Sequence, residues 1–179
     1  EEQARIYFEE QKKLESLRNN YDKQEKTLYQ AYQYLQQAKS KKEMLEEMEE
    51  DYSGFFQGVK EVLKARDTRL QGIEGAIAEL IHVPKQYETA IETALGGAMQ
   101  HIVVQSEENA RAAIQFLKQK SFGRATFLPL SIIKGKYLAS SQLALLSGNS
   151  AYIGTAADLI QFDQKYAEVV KSLLGNVVI

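Results

Sequence analysis

GAIAELIHVPKQYETAIETALG, from Gly75 to Gly96, is echoed 79 positions later by GTAADLIQFDQKYAEVVKSLLG, from Gly154 to Gly175. Identical pairs are Gly75/Gly154, Leu80/Leu159, Ile81/Ile160, Tyr87/Tyr166, Leu95/Leu174 and Gly96/Gly175, and Glu79/Asp158 and Ile91/Val170 match conservatively. Self-similarity at a fixed offset is the signature of one supersecondary unit used twice. Both copies parse alike: a short extended segment ends at the Leu-Ile pair, a helix start follows, and a glycine closes the helix. Pro84 suits a first helical position and Asp163 an N-cap. Tyr87, Ile91 and Leu95 recur every four residues, as do Tyr166, Val170 and Leu174, which gives each helix one core-facing stripe. The tyrosines are read as core residues rather than ligand contacts. Gly96 and Gly175 are expected to act as left-handed C-caps. An apolar strand follows each copy, over 101–104 and 176–179.

Downstream of the first copy, Ser106, Glu107 and Glu108 open a helix carrying Ala110, Ala113, Ile114 and Leu117, with the acidic pair placed well against the helix dipole. Phe122 and Gly123 turn the chain into the strand Arg124–Leu130, where Pro129 suggests an edge or an end. The second copy stops at Ile179, within its apolar strand, whereas the first continues through Leu130. A chain ending there would leave a sheet edge exposed, which natural proteins avoid, so the sequence reads as cut before its second half is complete.

Upstream the character changes. All 11 glycines and both prolines lie after Ser53, and residues 1–50 carry 9 basic and 12 acidic side chains among many Gln and Leu. That stretch has high helix propensity and no internal stop. One heptad family is Tyr7, Leu14, Tyr21, Leu28, Leu35 and Lys42; the other is Glu10, Leu17, Gln24, Ala31, Ala38 and Leu45. The seam Leu14, Leu17, Tyr21, Leu28, Ala31, Leu35, Ala38 and Leu45 predicts a coiled-coil arm over 1–53, since a merely solvated helix has no reason to hold apolar residues in register. Glu10, Gln24 and Lys42 would weaken a homodimeric zipper. The fold class is therefore α+β: a long N-terminal coiled-coil helix, then a mixed α/β region with an internal repeat whose second copy is truncated. The expected divisions are an arm over 1–53, a first subdomain over 54–149 and the start of a second over 150–179.

Composition narrows function further. The chain has 179 residues, 22 Lys+Arg against 24 Asp+Glu, 2 His and no Cys. The absence of cysteine excludes a disulfide scaffold, a Cys-based zinc site and a thiol nucleophile. No apolar run approaches the ~20 residues of a membrane span. His82 and His101 are the only imidazoles, and neither has a nucleophile, metal cluster or glycine-rich cradle beside it in sequence. No phosphate-binding G-x-x-x-x-G-K-[ST] loop occurs. Leu146-Ser-Gly-Asn-Ser150 is read as a helix end and turn. An enzyme is disfavoured.

Three pieces, YETAIETALGG at 87–97, the IVV strand at 102–104 with its acidic-capped helix, and GRATFLPL at 123–130, together resemble the hinge domain of bacterial structural maintenance of chromosomes (SMC) proteins. A heptad arm running straight into the hinge also fits that pattern, and the resemblance covers essentially the whole chain. The family's glycine-rich motif near the end of the hinge and its returning, antiparallel arm helix are absent from this sequence.

The resemblance implies a mechanical role. SMC proteins fold back at the hinge, and two hinges join in a homodimer that links two arms in chromosome condensation and segregation. ATP and Mg bind at distant head domains, where kleisin-type subunits also join, so no cofactor, metal or catalytic residue is implied for this stretch. Cytoplasmic placement on the nucleoid follows, with no membrane partner. The first half of one hinge meets the second half of its mate, which makes the edge Gly123, Arg124, Ala125, Thr126, Phe127, Leu128 and Pro129 the candidate dimer interface; an edge strand without a partner is the bland alternative. DNA contact is the other family property, and Lys60, Lys64, Arg66, Arg69, Arg124, Lys134 and Lys136 are the candidate contacts, against a simple solvated charged face. A coiled-coil adaptor whose globular end binds another protein is the alternative function.

Overall fold

The structure, a computed structural model, describes residues 1–179. It divides into two units, Glu1–Asp51 and Tyr52–Ile179.

The first unit is one uninterrupted helix, α1 (Glu2–Glu50), about 75 Å long at 1.5 Å per residue. None of its residues is buried. The i,i+4 pairs Arg5–Glu9 (3.8 Å) and Lys42–Glu46 (3.0 Å) lie in solvent, where each contributes a few tenths of a kcal/mol at most. The heptad stripe is thus a fully presented apolar face, and shallow grooves along it are lined by Tyr7, Leu14, Leu17, Tyr21, Leu28 and Ala31. No helix of the chain is long and apolar enough to cross a membrane.

The second unit runs α2 (Gln57–Lys64), β1 (Ile73–Ala76), the single turn α3 (Ile77–Leu80), β2 (Ile81–His82), α4 (Glu88–Leu95), β3 (Ile102–Val104), α5 (Glu107–Lys120), β4 (Phe127–Pro129), α6 (Ser140–Ser147), β5 (Gln161–Phe162) and α7 (Ala167–Leu174). Short 3-10 turns precede α4 and α7, at Lys85–Tyr87 and Gln164–Tyr166, and two more cover Gly96–Gln100 and Ala156–Leu159. β1, β3 and β4 form one sheet with β3 central, antiparallel to β1 and parallel to β4; β2 and β5 pair antiparallel in a separate two-stranded ladder.

The central strand explains the run Ile102-Val103-Val104, in which every residue is buried. Alternate side chains leave opposite faces of a strand, and here both faces are covered. Ile102 and Val104 join Val59, Val62, Leu63, Ile73, Ala113 and Leu117 in one cluster under α2 and α5. Val103 joins Ile77, Ile91, Leu95, Ala156, Val169, Val170 and Leu174 in a second, under α4 and α7. The second cluster is built from both 75–96 and 154–175.

Local signals hold with revisions. Ser106 caps α5, its hydroxyl accepting from the Asn109 amide at 3.3 Å, and Asp163 caps its turn by accepting from the Lys165 amide at 3.0 Å. Leu146–Ser150 is the end of α6 and a turn. The segments expected to be extended up to Leu80-Ile81 and Leu159-Ile160 are instead helical turns that end at Leu80 and Leu159. Pro84 stands just outside its turn as the capping residue. Ile114 is exposed, while Ala110, Ala113 and Leu117 form the buried stripe. Both glycines close their helices, but neither in the expected left-handed turn: Gly96 has a positive φ, 46°, with ψ −124°, outside the left-handed helical region, and Gly175 is right-handed at φ −68°. Glycine is needed there for proximity: a Cβ would overlap the Lys136 carbonyl.

At the C-terminal end, Val177–Ile179 pairs along one edge with 153–156. The Ile153 amide donates to the Ile179 carbonyl at 2.9 Å, and the Ala156 amide donates to Val177 at the same distance. Val177 and Ile179 pack on the second cluster, and Val178 is exposed.

Candidate association edge and basic face

β4 is the outer strand of its sheet. The Ile102 amide donates to the Thr126 carbonyl and the Leu130 amide donates to the Val104 carbonyl, both at 2.8 Å. In a parallel ladder this register turns the backbone polar groups of 126, 128 and 130 towards β3 and those of Phe127 and Pro129 outward. Proline therefore occupies a position where its missing N–H breaks no bond, and Phe127 is the one outward donor of the strand. Edges are commonly blunted in this way.

The seven edge residues divide by environment. Gly123, Arg124 and Thr126 are exposed, while Ala125, Phe127, Leu128 and Pro129 are half-buried. Phe127 and Ala125 pack on the first cluster, Leu128 on the second, so the Phe127 ring belongs to the core more than to the rim. Gly123 takes φ +96°, and its neighbour Arg124 lies against the first turn of α2, where a Cβ on Gly58 would come 2.5 Å from the Arg124 carbonyl oxygen.

Geometry separates the basic candidates into three groups. Lys60 and Lys64 lie on α2, and the backbone contact at Gly58 brings Arg124 to the same helix. Lys64 and Arg69 also line a surface cleft of about 300 Å³ with Glu61, Thr68, Phe116 and Phe122. Arg66 is held inside the fold: its guanidinium donates to the Glu74 carbonyl and the Tyr52 hydroxyl, both at 3.2 Å, and sits 3.6 Å from the Glu79 carboxylate. Lys134 and Lys136 lie elsewhere, on a strap crossing α7. There the Gly135 amide and the Tyr137 hydroxyl donate to Glu168 at 2.8 and 3.1 Å, and the Lys136 amide donates to the Lys171 carbonyl at 3.1 Å. The Gly135 amide, the Tyr137 hydroxyl and the nearby lysines hold the Glu168 carboxyl below its ordinary range.

The two histidines differ in environment. His82 is exposed on β2. His101 precedes β3, its buried Nδ1 has no partner, and burial pushes its pKa below the usual 6.5.

One cluster was not anticipated from sequence. Glu74 on β1 accepts from the Tyr166 hydroxyl at 2.7 Å, Lys165 Nζ at 3.0 Å and Gln105 Nε2 at 2.9 Å. Burial raises its pKa, and these three donors outweigh burial and hold it below the usual 4.5. The available signal was a lone acid in the otherwise apolar strand Ile73-Glu74-Gly75-Ala76, because a carboxylate beside buried residues demands partners.

Comparison with known proteins identifies relatives. Residues 70–179 match the family described as SMC proteins Flexible Hinge Domain. The Chromosome partition protein Smc of Bacillus subtilis (strain 168) is 54% identical over 99% of this chain, which spans 15% of that protein. The protein of the same name from Methanocaldococcus jannaschii is 38% identical over 75% of this chain and 11% of its own length. Among solved structures, an asymmetric dimer of the Geobacillus stearothermophilus SMC hinge domain superposes with a TM-score of 0.79 at 56% identity, covering 86% of this chain and 61% of that one. The Pyrococcus furiosus SMC hinge domain gives 0.58 at 36% identity, over 74% of this chain and 65% of its own.

Proposed function

The chain belongs to the family of SMC flexible hinge domains, and on that footing we propose that it is a dimerisation hinge joining two coiled-coil arms of a chromosome-organising protein. The observation that carries this reading is the family match over the unit that contains an outer parallel strand, β4. A solved relative crystallised as a dimer of hinge domains, and the same association is assigned here to the 123–129 edge. Arg124 and Thr126 supply its exposed side chains. Pro129 leaves few outward donors, so side-chain packing contributes more to the contact than an extended ladder does.

The 75–96 and 154–175 segments are read as two copies of one unit. Each runs as a helical turn, a two-residue strand, a 3-10 turn and an eight-residue helix. On this reading 54–149 is the first hinge subdomain and 150–179 the start of a second, with 1–53 an arm whose apolar stripe packs on a returning helix. The role is mechanical, and the ATPase chemistry and the kleisin-type subunits belong to the distant heads of the parent protein, on the nucleoid in the cytoplasm.

DNA contact is assigned to Lys60, Lys64, Arg69 and Arg124, the group gathered around α2, with Lys134 and Lys136 as a separate second group. Arg66 leaves this set because its guanidinium is committed to Glu74, Tyr52 and Glu79. Sedimentation velocity of the chain, or of its variant Arg124→Glu/Thr126→Lys, mixed with the longer hinge-domain chain of the Geobacillus stearothermophilus SMC protein tests the association: a mixed species that weakens in the variant supports it, and identical behaviour of the two at all concentrations refutes the placement. The adaptor alternative predicts neither that loss nor salt-dependent DNA binding.

A further inference from the structure

The cluster around Glu74 joins parts of the chain that are far apart in sequence. Glu74 sits at the start of the sheet, whereas Lys165 and Tyr166 lie in the turn that opens α7, 91 and 92 residues later. The Tyr166 ring is buried in the second cluster and its hydroxyl reaches out of that cluster to the carboxylate. From behind, Arg66 grips the Glu74 carbonyl, and Glu79, on which Arg66 also rests, accepts the Ala76 amide at 2.7 Å. Both ends of β1 are thus fixed, and the carboxylate is presented from a rigid support.

The other polar links to 154–179 come from outside the sheet, chiefly from the 134–137 strap, which bonds α7 through Glu168 and the Lys171 carbonyl. Helix α6, in the intervening stretch, has no buried residue, and the β2–β5 ladder consists of two residue pairs. We infer that Glu74 is a latch: its bonds to Lys165 and Tyr166 hold the 154–179 segment on the β1–β3–β4 sheet, and their release lets that segment open as a unit while the sheet stays folded. Within a hinge this is a built-in point of yielding, located between the two parts that contribute the second cluster.

A latch and a general stabiliser differ in where protection is lost. Sub-global opening raises hydrogen exchange only in the unit that opens. The experiment is hydrogen–deuterium exchange with mass spectrometry on the full chain, comparing the parent with Glu74→Gln, Lys165→Met and Tyr166→Phe. The latch predicts exchange in 161–174 accelerated roughly tenfold in Glu74→Gln, less in each of the other two, with β3 and α5 unchanged. Because the bonds share one carboxylate, adding Lys165→Met to Glu74→Gln produces little further acceleration. Unchanged exchange in 161–174, or equal acceleration throughout 52–179, would overturn it. Lys165→Met alters an exposed side chain, so it carries the same test should Glu74→Gln fail to fold.

Discussion

Lys136 lays its carbonyl oxygen across the backbone of Gly175 so closely that no Cβ fits between them. The Lys136 amide meanwhile donates to Lys171 on α7, so the strap over 134–137 is fastened to the end of that helix through a gap that only glycine leaves. Gly58 does the same for Arg124 at the first turn of α2, and Gly97 faces open space. Gly58→Ala and Gly175→Ala are each expected to cost about 1–3 kcal/mol, the usual penalty of overpacking. Gly97→Ala should be neutral or slightly stabilising. Urea unfolding midpoints of the three variants check the contrast.

Acid should weaken the second unit in two stages of the same sign. Burial depresses the pKa of His101 below 6.5, so the unfolded chain takes up the proton more readily and stability falls as pH drops below that value. The Glu74 carboxyl, raised by burial but lowered more by Tyr166, Gln105 and Lys165, ends below 4.5. Its contribution is present above pH 4.5 and is lost as pH falls through the folded-state value. Unfolding free energy measured against pH should show both limbs. His101→Phe should flatten the first and leave the second; Glu74→Gln should do the reverse.

Two neighbouring arginines should behave oppositely. Arg66→Gln removes donors to a carbonyl, a hydroxyl and a carboxylate and is expected to cost about 1–3 kcal/mol. Arg69→Glu, on an exposed side chain lining the α2 cleft, should stay within about 0.5 kcal/mol of the parent. If the α2 face binds DNA, Arg69→Glu lowers affinity and flattens its dependence on salt. Anisotropy titrations of labelled DNA at several salt concentrations, alongside urea unfolding, separate the two effects.

Much of the local structure was legible because its causes are local. The heptad stripe specifies α1, Ser106 with its two following acids specifies the start of α5, and Asp163 specifies the turn before α7. The unbroken apolar run at 102–104 announced a strand, while its coverage on both faces emerges only from the packing of the two clusters. What could not be read depends on distant partners. The parallel pairing of β3 with β4 and the β2–β5 ladder join segments that carry no mark of each other. Gly175 caps α7 as its place in the sequence suggests, its amide donating to the Lys171 carbonyl, but only the position of Lys136 reveals why the residue must be glycine. Arg66 looked like its basic neighbours until Glu74 and Glu79 were placed around it. In the candidate edge, Pro129 was readable as an edge residue, whereas the inward direction of Phe127 follows from the register of β4.

Light scattering tests the central claim, that the 123–129 edge joins this hinge to a second one. The solution mass of the chain is measured alone and mixed with the longer hinge-domain chain of the Geobacillus stearothermophilus SMC protein, whose fold it shares. The account predicts a mixed species with the mass of one copy of each, lost when Arg124→Glu and Thr126→Lys are introduced into this chain. Masses unchanged by mixing, or a mixed species that survives both substitutions intact, would contradict it.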